Sequence, residues 1–230
     1  IGDVHGCVHA LDTLLEAIVP ATSDTLVFLG DLIDQGRDSA AVLDRVISLQ
    51  NECKVVLIQG NHEEMLLAAP DSEEALRYWE HCGGVQTLNS YRFGATLREI
   101  PLEHWELLQS CLPWYETRDF IFTHAGYLPD VAMSDQPESQ LRWALFEPDQ
   151  MRAHQSGKTV VVGHTESDDS EIVDLGYAIC IDTACWRHGW LTALNCLDRT
   201  CWQASRWGVL REPQEPTHRG LFAELTRCAE

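Results

Sequence analysis

Short apolar stretches rich in β-branched residues alternate with amphipathic stretches over the first half of the chain. Residues 25–30 and 54–59 have the length and composition of buried strands. Apolar residues at roughly helical spacing predict a helix near 39–50, and a second helix is predicted at about 62–68. This alternation predicts a sheet with parallel strands covered by helices, and therefore the α/β class.

The pattern changes twice further along the chain. From about 71 to 112 it becomes helical, with a break at Gly83-Gly84 and a restart at Pro101. We predict that 71–112 is a helical insertion that acts as a lid. The second half returns to short predicted strands, which lie near 118–123, 159–163, 178–182, 190–195 and 201–207.

Length and composition favour a single domain. The 230 residues suffice for one large domain, which we place at 1–210, and no apolar run is long enough to span a membrane. Residues 211–230 are predicted to form an exposed C-terminal tail. Because the chain starts at Ile1 without a Met, we expect further residues before it. The nine cysteines form no Cys-x-x-Cys pair, which favours reduced thiols and a cytoplasmic location.

The charge balance restricts the possible partners. The net charge is −20, from 36 acidic and 16 basic residues. Such a field repels nucleic acid and anionic membranes, so neither is an expected partner. An anionic substrate would need bound cations that reverse the local potential.

Five short motifs place metal-binding residue types beside glycines at the ends of predicted strands. They are GDVHG at 2–6, GDLID at 30–34, GNHE at 60–63, THAG at 123–126 and GHT at 163–165. In α/β sheets the carboxyl ends of strands carry the ligand-binding loops, so we expect these five loops to meet. The side chains that would converge are Asp3, His5, Asp31, Asn61, His124 and His164.

This set of ligands suits divalent transition metals. Carboxylates, imidazoles and one amide bind Mn²⁺, Fe²⁺ or Zn²⁺, and the lack of cysteine ligands argues against a purely structural zinc. Six ligands exceed the needs of one four-coordinate ion. Two ions about 3.5–4 Å apart, sharing a bridging carboxylate, would use all six.

The motifs GDVHG, GDLIDQG, GNHE, THAG and VVGHT resemble those of the phosphoprotein phosphatase family of metallophosphoesterases, in its bacterial and phage form. The resemblance runs from Ile1 to about Thr183, where residues 181–183 (IDT) are similar to a late strand of the family. It implies a calcineurin-like metallophosphoesterase fold, in which two mixed β-sheets are sandwiched and flanked by helices. The metal site would lie at the C-terminal ends of the strands.

The resemblance also implies a role for each residue. The first ion would be held by Asp3, His5 and Asp31, and the second by Asp31, Asn61, His124 and His164, with Asp31 as the bridge. His62 matches the general acid, and Asp34 matches the carboxylate that orients it. The two ions are expected to be Mn²⁺, with Fe or Zn as alternatives, and to activate a water for attack on phosphorus.

Two arginines that usually bind phosphate in this family are missing from their expected positions. Gln35 stands where the first is usual, and no arginine follows Trp143 at the spacing of the second. Gln cannot supply the charge of a bidentate Arg–phosphate contact. Arg37 and Arg142 are the candidate substitutes, although both could equally be solvated surface residues.

Three functions are compatible with these features. The first is a metal-dependent phosphomonoesterase, a protein serine/threonine phosphatase that acts on a phosphorylated protein or a small phosphoester; Asp34 and the complete GNHE favour it. The alternative is a symmetrical diadenosine tetraphosphate hydrolase, a class that shares GDxHG and GNH but commonly lacks the Asp at position 34 and reads GNHD. The third is a non-catalytic metal-binding scaffold.

Overall fold

The computed structural model describes residues 1–212. The helices are α1 (Val8–Ile18), α2 (Ser39–Leu49), α3 (Asn61–Ala68), α4 (Glu73–Trp79), α5 (Val85–Tyr91), α6 (Leu102–Gln109) and α7 (Glu138–Trp143). The strands are β1 (Thr25–Phe28), β2 (Lys54–Leu57), β3 (Trp114–Glu116), β4 (Phe120–Thr123), β5 (Thr159–Val162), β6 (Val173–Asp174), β7 (Ala178–Cys180), β8 (Leu191–Leu194) and β9 (Cys201–Ala204).

The strands form one five-stranded mixed sheet and two strand pairs, which the N-terminal residues join into a second layer. The five-stranded sheet has the order β3-β4-β5-β7-β6, with β4, β5 and β7 parallel and an antiparallel strand at each edge. In the second layer, β1 pairs with β2 in parallel and β8 pairs with β9 as a hairpin. The first two residues join these pairs, because the Ile1 amine donates to Val27 O at 2.7 Å and Gly2 N donates to Thr192 O at 2.9 Å. The prediction of two mixed sheets is confirmed.

Side chains alternate along the strands between two apolar layers. Val27 and Val56 face Phe122, Val161 and Ile179 in a layer between the two sheets. The intervening residues, among them Leu26, Phe28 and Leu57, point to the opposite side, against the helices. Because successive residues of a strand face opposite ways, each apolar run is buried on both faces.

Helices cover the outer faces of both sheets. Leu11 and Leu14 of α1 pack with Val42 and Val46 of α2 in the largest apolar cluster of the described chain. On the far sheet, Leu141 of α7 belongs to the cluster under β5. The sandwich flanked by helices is therefore confirmed.

The helical insertion at 71–112 contains α4, α5 and α6. The predicted break is present as a kink: within the π-type turn at Glu80–Gly84, Gly83 has a non-helical φ of 121°. Pro101 directly precedes α6, as the sequence predicts. Both α5 and α6 contact α2. The role of a lid stays a prediction.

The first residue of the predicted tail, Arg211, still contacts the domain. Arg211 N donates to Gln203 O at 2.7 Å, and the Arg211 guanidinium pairs with Glu171. The rest of that predicted tail, from position 213 onward, lies outside the described residues. Over residues 1–212, no helix combines the length and the apolar character that a membrane crossing requires.

Candidate active site

The carboxyl ends of five strand segments meet at one place. Asp31 and Asn61 lie just beyond β1 and β2, and His124 and His164 lie just beyond β4 and β5. Asp3 and His5 follow the Ile1–Gly2 segment, which joins the β1–β2 pair to the β8–β9 hairpin. Ligand atoms of Asp31, His124 and His164 lie within 4.8 Å of one another, and so do those of His5, Asp31 and His62.

Asp31 is shared by both groups. Its Oδ2 lies 3.5 Å from His5 Nε2, and its Oδ1 lies 3.5 Å from His124 Nε2. On the second side, Asn61 Oδ1 lies 3.0 Å from His124 Nε2 and 3.1 Å from His164 Nδ1. The structure thus brings four predicted ligands, His5, Asn61, His124 and His164, to the Asp31 carboxylate. The remaining one, Asp3, accepts a hydrogen bond from His164 N at 2.9 Å.

Two histidines direct lone pairs at other acceptors. His5 Nδ1 lies 2.9 Å from Ile33 O and His124 Nδ1 lies 2.8 Å from Leu29 O, so each ring donates its Nδ1 proton to a carbonyl. Burial lowers the pKa of His5 to about 3 and lowers that of His124 well below its usual value. The Nε2 atoms of these neutral rings therefore carry lone pairs that face Asp31 and, for His124, Asn61 Oδ1. A cation bound between these nitrogen and oxygen atoms would remove the repulsion between their lone pairs.

The buried carboxylates also fit a cation site. Burial raises the pKa of Asp31 to about 8 and raises that of Asp3 well above its usual range. Asp3 Oδ1 is buried and has no hydrogen-bond partner among the described residues. Closely packed carboxylates are stable in their charged form when divalent ions balance them. The donors present fit divalent ions.

Two further carboxylates at the site were not predicted. Asp182 lines a cavity that His5 and Asp31 also line, and burial raises the pKa of Asp182 to about 7. The resemblance of residues 181–183 to a late strand of the family is the sequence feature that could have identified Asp182. Glu63 is fully buried and accepts hydrogen bonds from the backbone N–H groups of Asp31, Leu32 and Gly60 at 2.8 to 2.9 Å. It therefore ties the loop after β1 to the loop after β2.

His62 and Asp34 form the predicted pair. His62 Nδ1 lies 2.8 Å from Asp34 Oδ2. Burial alone would lower the pKa of His62, but Asp31 and Asp34 raise it to about 9. Two residues of the insertion that the sequence analysis did not identify also donate hydrogen bonds to the Asp34 carboxylate. Trp79 Nε1 donates to Asp34 Oδ2 at 2.8 Å and Thr87 Oγ1 donates to Asp34 Oδ1 at 2.6 Å.

Much of the site backbone is left-handed. His5, Asp31, Asp34 and His164 have φ values of 44°, 49°, 70° and 63°. Few non-glycine residues adopt this conformation, although Asp and His do so more readily than most. Such conformations concentrate at functional sites, where the surrounding structure holds them.

A cavity of about 360 Å³ opens beside these residues. Its wall includes Gln35, Glu166, Trp186 and Arg187, and Arg187 is the only Lys or Arg lining it within the described chain. The candidate arginines do not reach it. Arg37 is exposed, whereas Arg142 is 5% exposed and its guanidinium pairs with Glu64 and Glu138.

The sequence model of the calcineurin-like phosphoesterases matches residues 1–194. The chain belongs to this family. The family is one of metal-dependent phosphoesterases, which agrees with the groups of His and Asp side chains assembled here. The structure confirms the fold expected of a calcineurin-like phosphoesterase.

Individual relatives carry two kinds of name. A symmetrical bis(5'-nucleosyl)-tetraphosphatase of Shewanella frigidimarina is 31% identical over 156 residues, which cover 66% of this chain and 54% of the relative. Serine/threonine-protein phosphatase 1 of Salmonella typhimurium is 32% identical over 145 residues, which cover 62% of this chain and 61% of the relative. The chain thus spans about half to three fifths of the curated relatives it matches.

A solved structure supports the fold over a greater length. A crystal structure of a candidate diadenosine tetraphosphatase superposes with a TM-score of 0.67 and 21% identity, covering 88% of this chain and 90% of the other. At this identity the likeness establishes the fold alone.

Glycines leave room for two of the predicted ligands. A β-carbon on Gly163 would lie 2.0 Å from Asp3 Oδ1, and one on Gly60 would lie 2.1 Å from Asp31 Oδ1. We expect Gly163→Ala to displace Asp3 and weaken binding of one Mn²⁺ ion at least about tenfold, as measured by calorimetric titration. Gly157→Asn is the control, because a β-carbon there meets nothing within 4 Å and Asn tolerates its left-handed backbone. Two undisturbed Mn²⁺ sites in Gly163→Ala would contradict the assignment of Asp3.

The Thr87 hydroxyl both donates to Asp34 Oδ1 and accepts from Asp34 N at 2.9 Å. We expect Thr87→Val in this phosphoesterase to lower the free energy of unfolding by about 1–3 kcal/mol, because it leaves the buried Oδ1 atom of Asp34 without the donor seen here. Urea denaturation measures the change. The matched control is Thr25→Val, at an exposed strand position. An equal effect of both substitutions would rule out the supporting role of Thr87.

Proposed function

We propose that the protein is a two-metal phosphohydrolase that cleaves symmetrical dinucleoside tetraphosphates into two nucleoside diphosphates. The observation that carries the chemistry is the position of Asp31, which both groups of ligand atoms share, next to the His62–Asp34 pair. The relatives named bis(5'-nucleosyl)-tetraphosphatase support the substrate class.

Divalent ions, of which Mn²⁺ is the expected species, would supply Lewis-acid activation of water and neutralise charge on the phosphoryl oxygens. The first would be held by Asp3, His5 and Asp31, and the second by Asp31, Asn61, His124 and His164. The protein orients these ligands through the Ile33 and Leu29 carbonyls behind His5 and His124. Such outer contacts fix the ring that each ion would meet.

His62 acts as the general acid. Its Nδ1 is occupied by Asp34, so its Nε2 carries the proton that can move to the leaving oxygen. Nε2 lies 3.9 Å from Asp31 Oδ2, beside the proposed metal ligands and in the wall of the cavity. The charge of Asp34 keeps the imidazolium available for this transfer.

The wall of the cavity favours a nucleotide substrate over a phosphoserine side chain. The Trp186 indole and the Arg187 guanidinium, 4.8 Å above its ring, stand beside the ligands. An aromatic face with an adjacent cation suits a base and a phosphate chain together. A phosphoserine offers no base for such a surface.

Phosphomonoester hydrolysis on a phosphoprotein is the second candidate. One observation favours it, namely the complete His62–Asp34 pair with its two added donors Trp79 and Thr87. An alkoxide is a poor leaving group and needs a proton, whereas a nucleoside diphosphate leaves more readily. The relative from Salmonella agrees with this candidate.

The two candidates predict different effects of His62→Asn. On a phosphoserine peptide we expect kcat to fall by about 10²–10⁴-fold, because general acid help is lost. On diadenosine tetraphosphate the loss should be clearly smaller. Mn²⁺ titration should give unchanged stoichiometry, and the control His81→Asn, at an exposed position, should match the wild type. Unchanged turnover of both substrates by His62→Asn would remove His62 from the mechanism.

The substrate class is tested by comparing diadenosine tetraphosphate, a phosphoserine peptide and 4-nitrophenyl phosphate under saturating Mn²⁺. We expect the highest kcat/KM for the dinucleotide, with ADP as the sole nucleotide product, and loss of all activity in chelator with recovery on added Mn²⁺. Preference for the phosphopeptide would establish the second candidate. Absence of turnover with Mn²⁺, Fe²⁺ and Zn²⁺ would instead indicate a metal-binding scaffold.

A further inference from the structure

A second cavity lies next to the first. Its volume is about 220 Å³, and Arg187 lines both cavities. His188, Ser205, Arg206 and Trp207 complete the part of its wall that carries polar or aromatic groups. We call this second cavity the Arg206 pocket. Because Arg187 lines both cavities, they are neighbours, and one extended molecule could occupy both.

We propose that the Arg206 pocket binds the nucleoside diphosphate portion of the substrate that departs during hydrolysis. The proposal rests on the proposed function and adds a location for the leaving group. In the reaction, the oxygen of water forms a bond to phosphorus and the bond from that phosphorus to the bridging oxygen breaks. The nucleoside diphosphate leaves on that bridging oxygen with the proton from His62.

Cationic groups are concentrated at this pocket in a strongly acidic chain. The net charge is −20, and Arg206 forms no ion pair with any described residue. Arg187 is paired with Glu166 at 3.2 Å, but its side chain is 54% exposed and can also reach an anion. Free guanidinium groups bind phosphate through paired N–H donors.

The pocket also offers an aromatic surface. Trp207 is 71% exposed, although burial of an indole is normally favourable. The Arg206 guanidinium carbon lies 4.7 Å from the centroid of the Trp207 ring, so a cation and an exposed indole stand together at this pocket. Stacking of a nucleobase on an exposed indole is favourable for every base, because each base has a π-face.

The walls of the pocket are held in place. Arg206 Nη1 donates to Trp186 O at 2.7 Å, and Trp186 Nε1 donates to Glu166 Oε1 at 2.7 Å. The turn that carries Trp207 is closed by Gly208 N, which donates to Ser205 O at 2.8 Å. The Arg206 pocket is therefore fixed relative to the wall of the first cavity before a ligand arrives, which lowers the entropic cost of binding.

The experiment compares the wild type with Arg206→Gln, Trp207→Ala and the double variant under saturating Mn²⁺. Phe93→Ala and Arg118→Gln are matched controls, since both residues are exposed and neither lines the described cavities. KM and kcat are measured for diadenosine tetraphosphate and for 4-nitrophenyl phosphate, which is too short to span both cavities. Inhibition of 4-nitrophenyl phosphate hydrolysis by ADP is measured in parallel.

We expect KM for the dinucleotide to rise about tenfold in each single variant. The decrease in kcat/KM for the dinucleotide should be at least about tenfold greater than any decrease in kcat/KM for 4-nitrophenyl phosphate. ADP inhibition should weaken by a similar factor, and the control variants should resemble the wild type. Equal losses on both substrates, or unchanged KM with unchanged ADP inhibition, would overturn the proposal.

Failure of the proposed function gives a different result. A wild type that hydrolyses 4-nitrophenyl phosphate but not the dinucleotide would refute the substrate class. ADP inhibition would still decide on the pocket in that case. Inhibition that is lost in the double variant would support a nucleoside diphosphate site, and inhibition that is the same in both proteins would exclude it.

Discussion

The carboxylate of Glu63 holds together the two loops on which the site depends. It accepts three backbone hydrogen bonds, from Asp31, Leu32 and Gly60, and it is completely buried. These bonds fix the left-handed backbone at Asp31 and thereby the direction of the shared carboxylate. Since Asn61 and His62 follow Gly60 directly, the same contact positions the second ligand group and the general acid. Hydrogen bonds to a charged acceptor are among the stronger ones in proteins, which suits this task.

Four buried carboxyl groups lie close together at the site, and the groups around them suit divalent cations. Asp3, Asp31, Glu63 and Asp182 are all buried near one cavity, and burial raises the pKa of each. The neutral histidines add lone pairs and no positive charge. Divalent cations are the species that make this cluster compatible with an anionic substrate. Arg187, the one Lys or Arg in the described wall of this cavity, is close enough for its charge to oppose the rise in the pKa of Asp182.

The sequence indicates which candidate ligands meet, but it does not indicate which residues hold them in place. Residues that follow parallel strands must meet at one edge of a sheet, so local patterns at Asp31, Asn61, His124 and His164 carry the necessary information. The contacts of Trp79 and Thr87 with Asp34 depend on how the insertion packs on α2, which no local pattern records. Arg142 illustrates the opposite error. Its position close to the expected second arginine suggests a contact with phosphate, but in α7 its guanidinium pairs with Glu64 and Glu138. Short edge strands such as β6 also lack a recognisable period.

The π-type turn in the insertion has a consequence for tolerance to mutation. A β-carbon on Gly84 would lie 2.4 Å from the ring of Trp79, whose indole N–H supports Asp34. Gly84 itself has no functional group, but any larger residue at this position would push the Trp79 indole away from the Asp34 carboxylate. Random mutagenesis scored by turnover should recover this glycine alongside the histidines. Inactivating substitutions in the insertion would then identify positions that shape the reaction without touching the substrate.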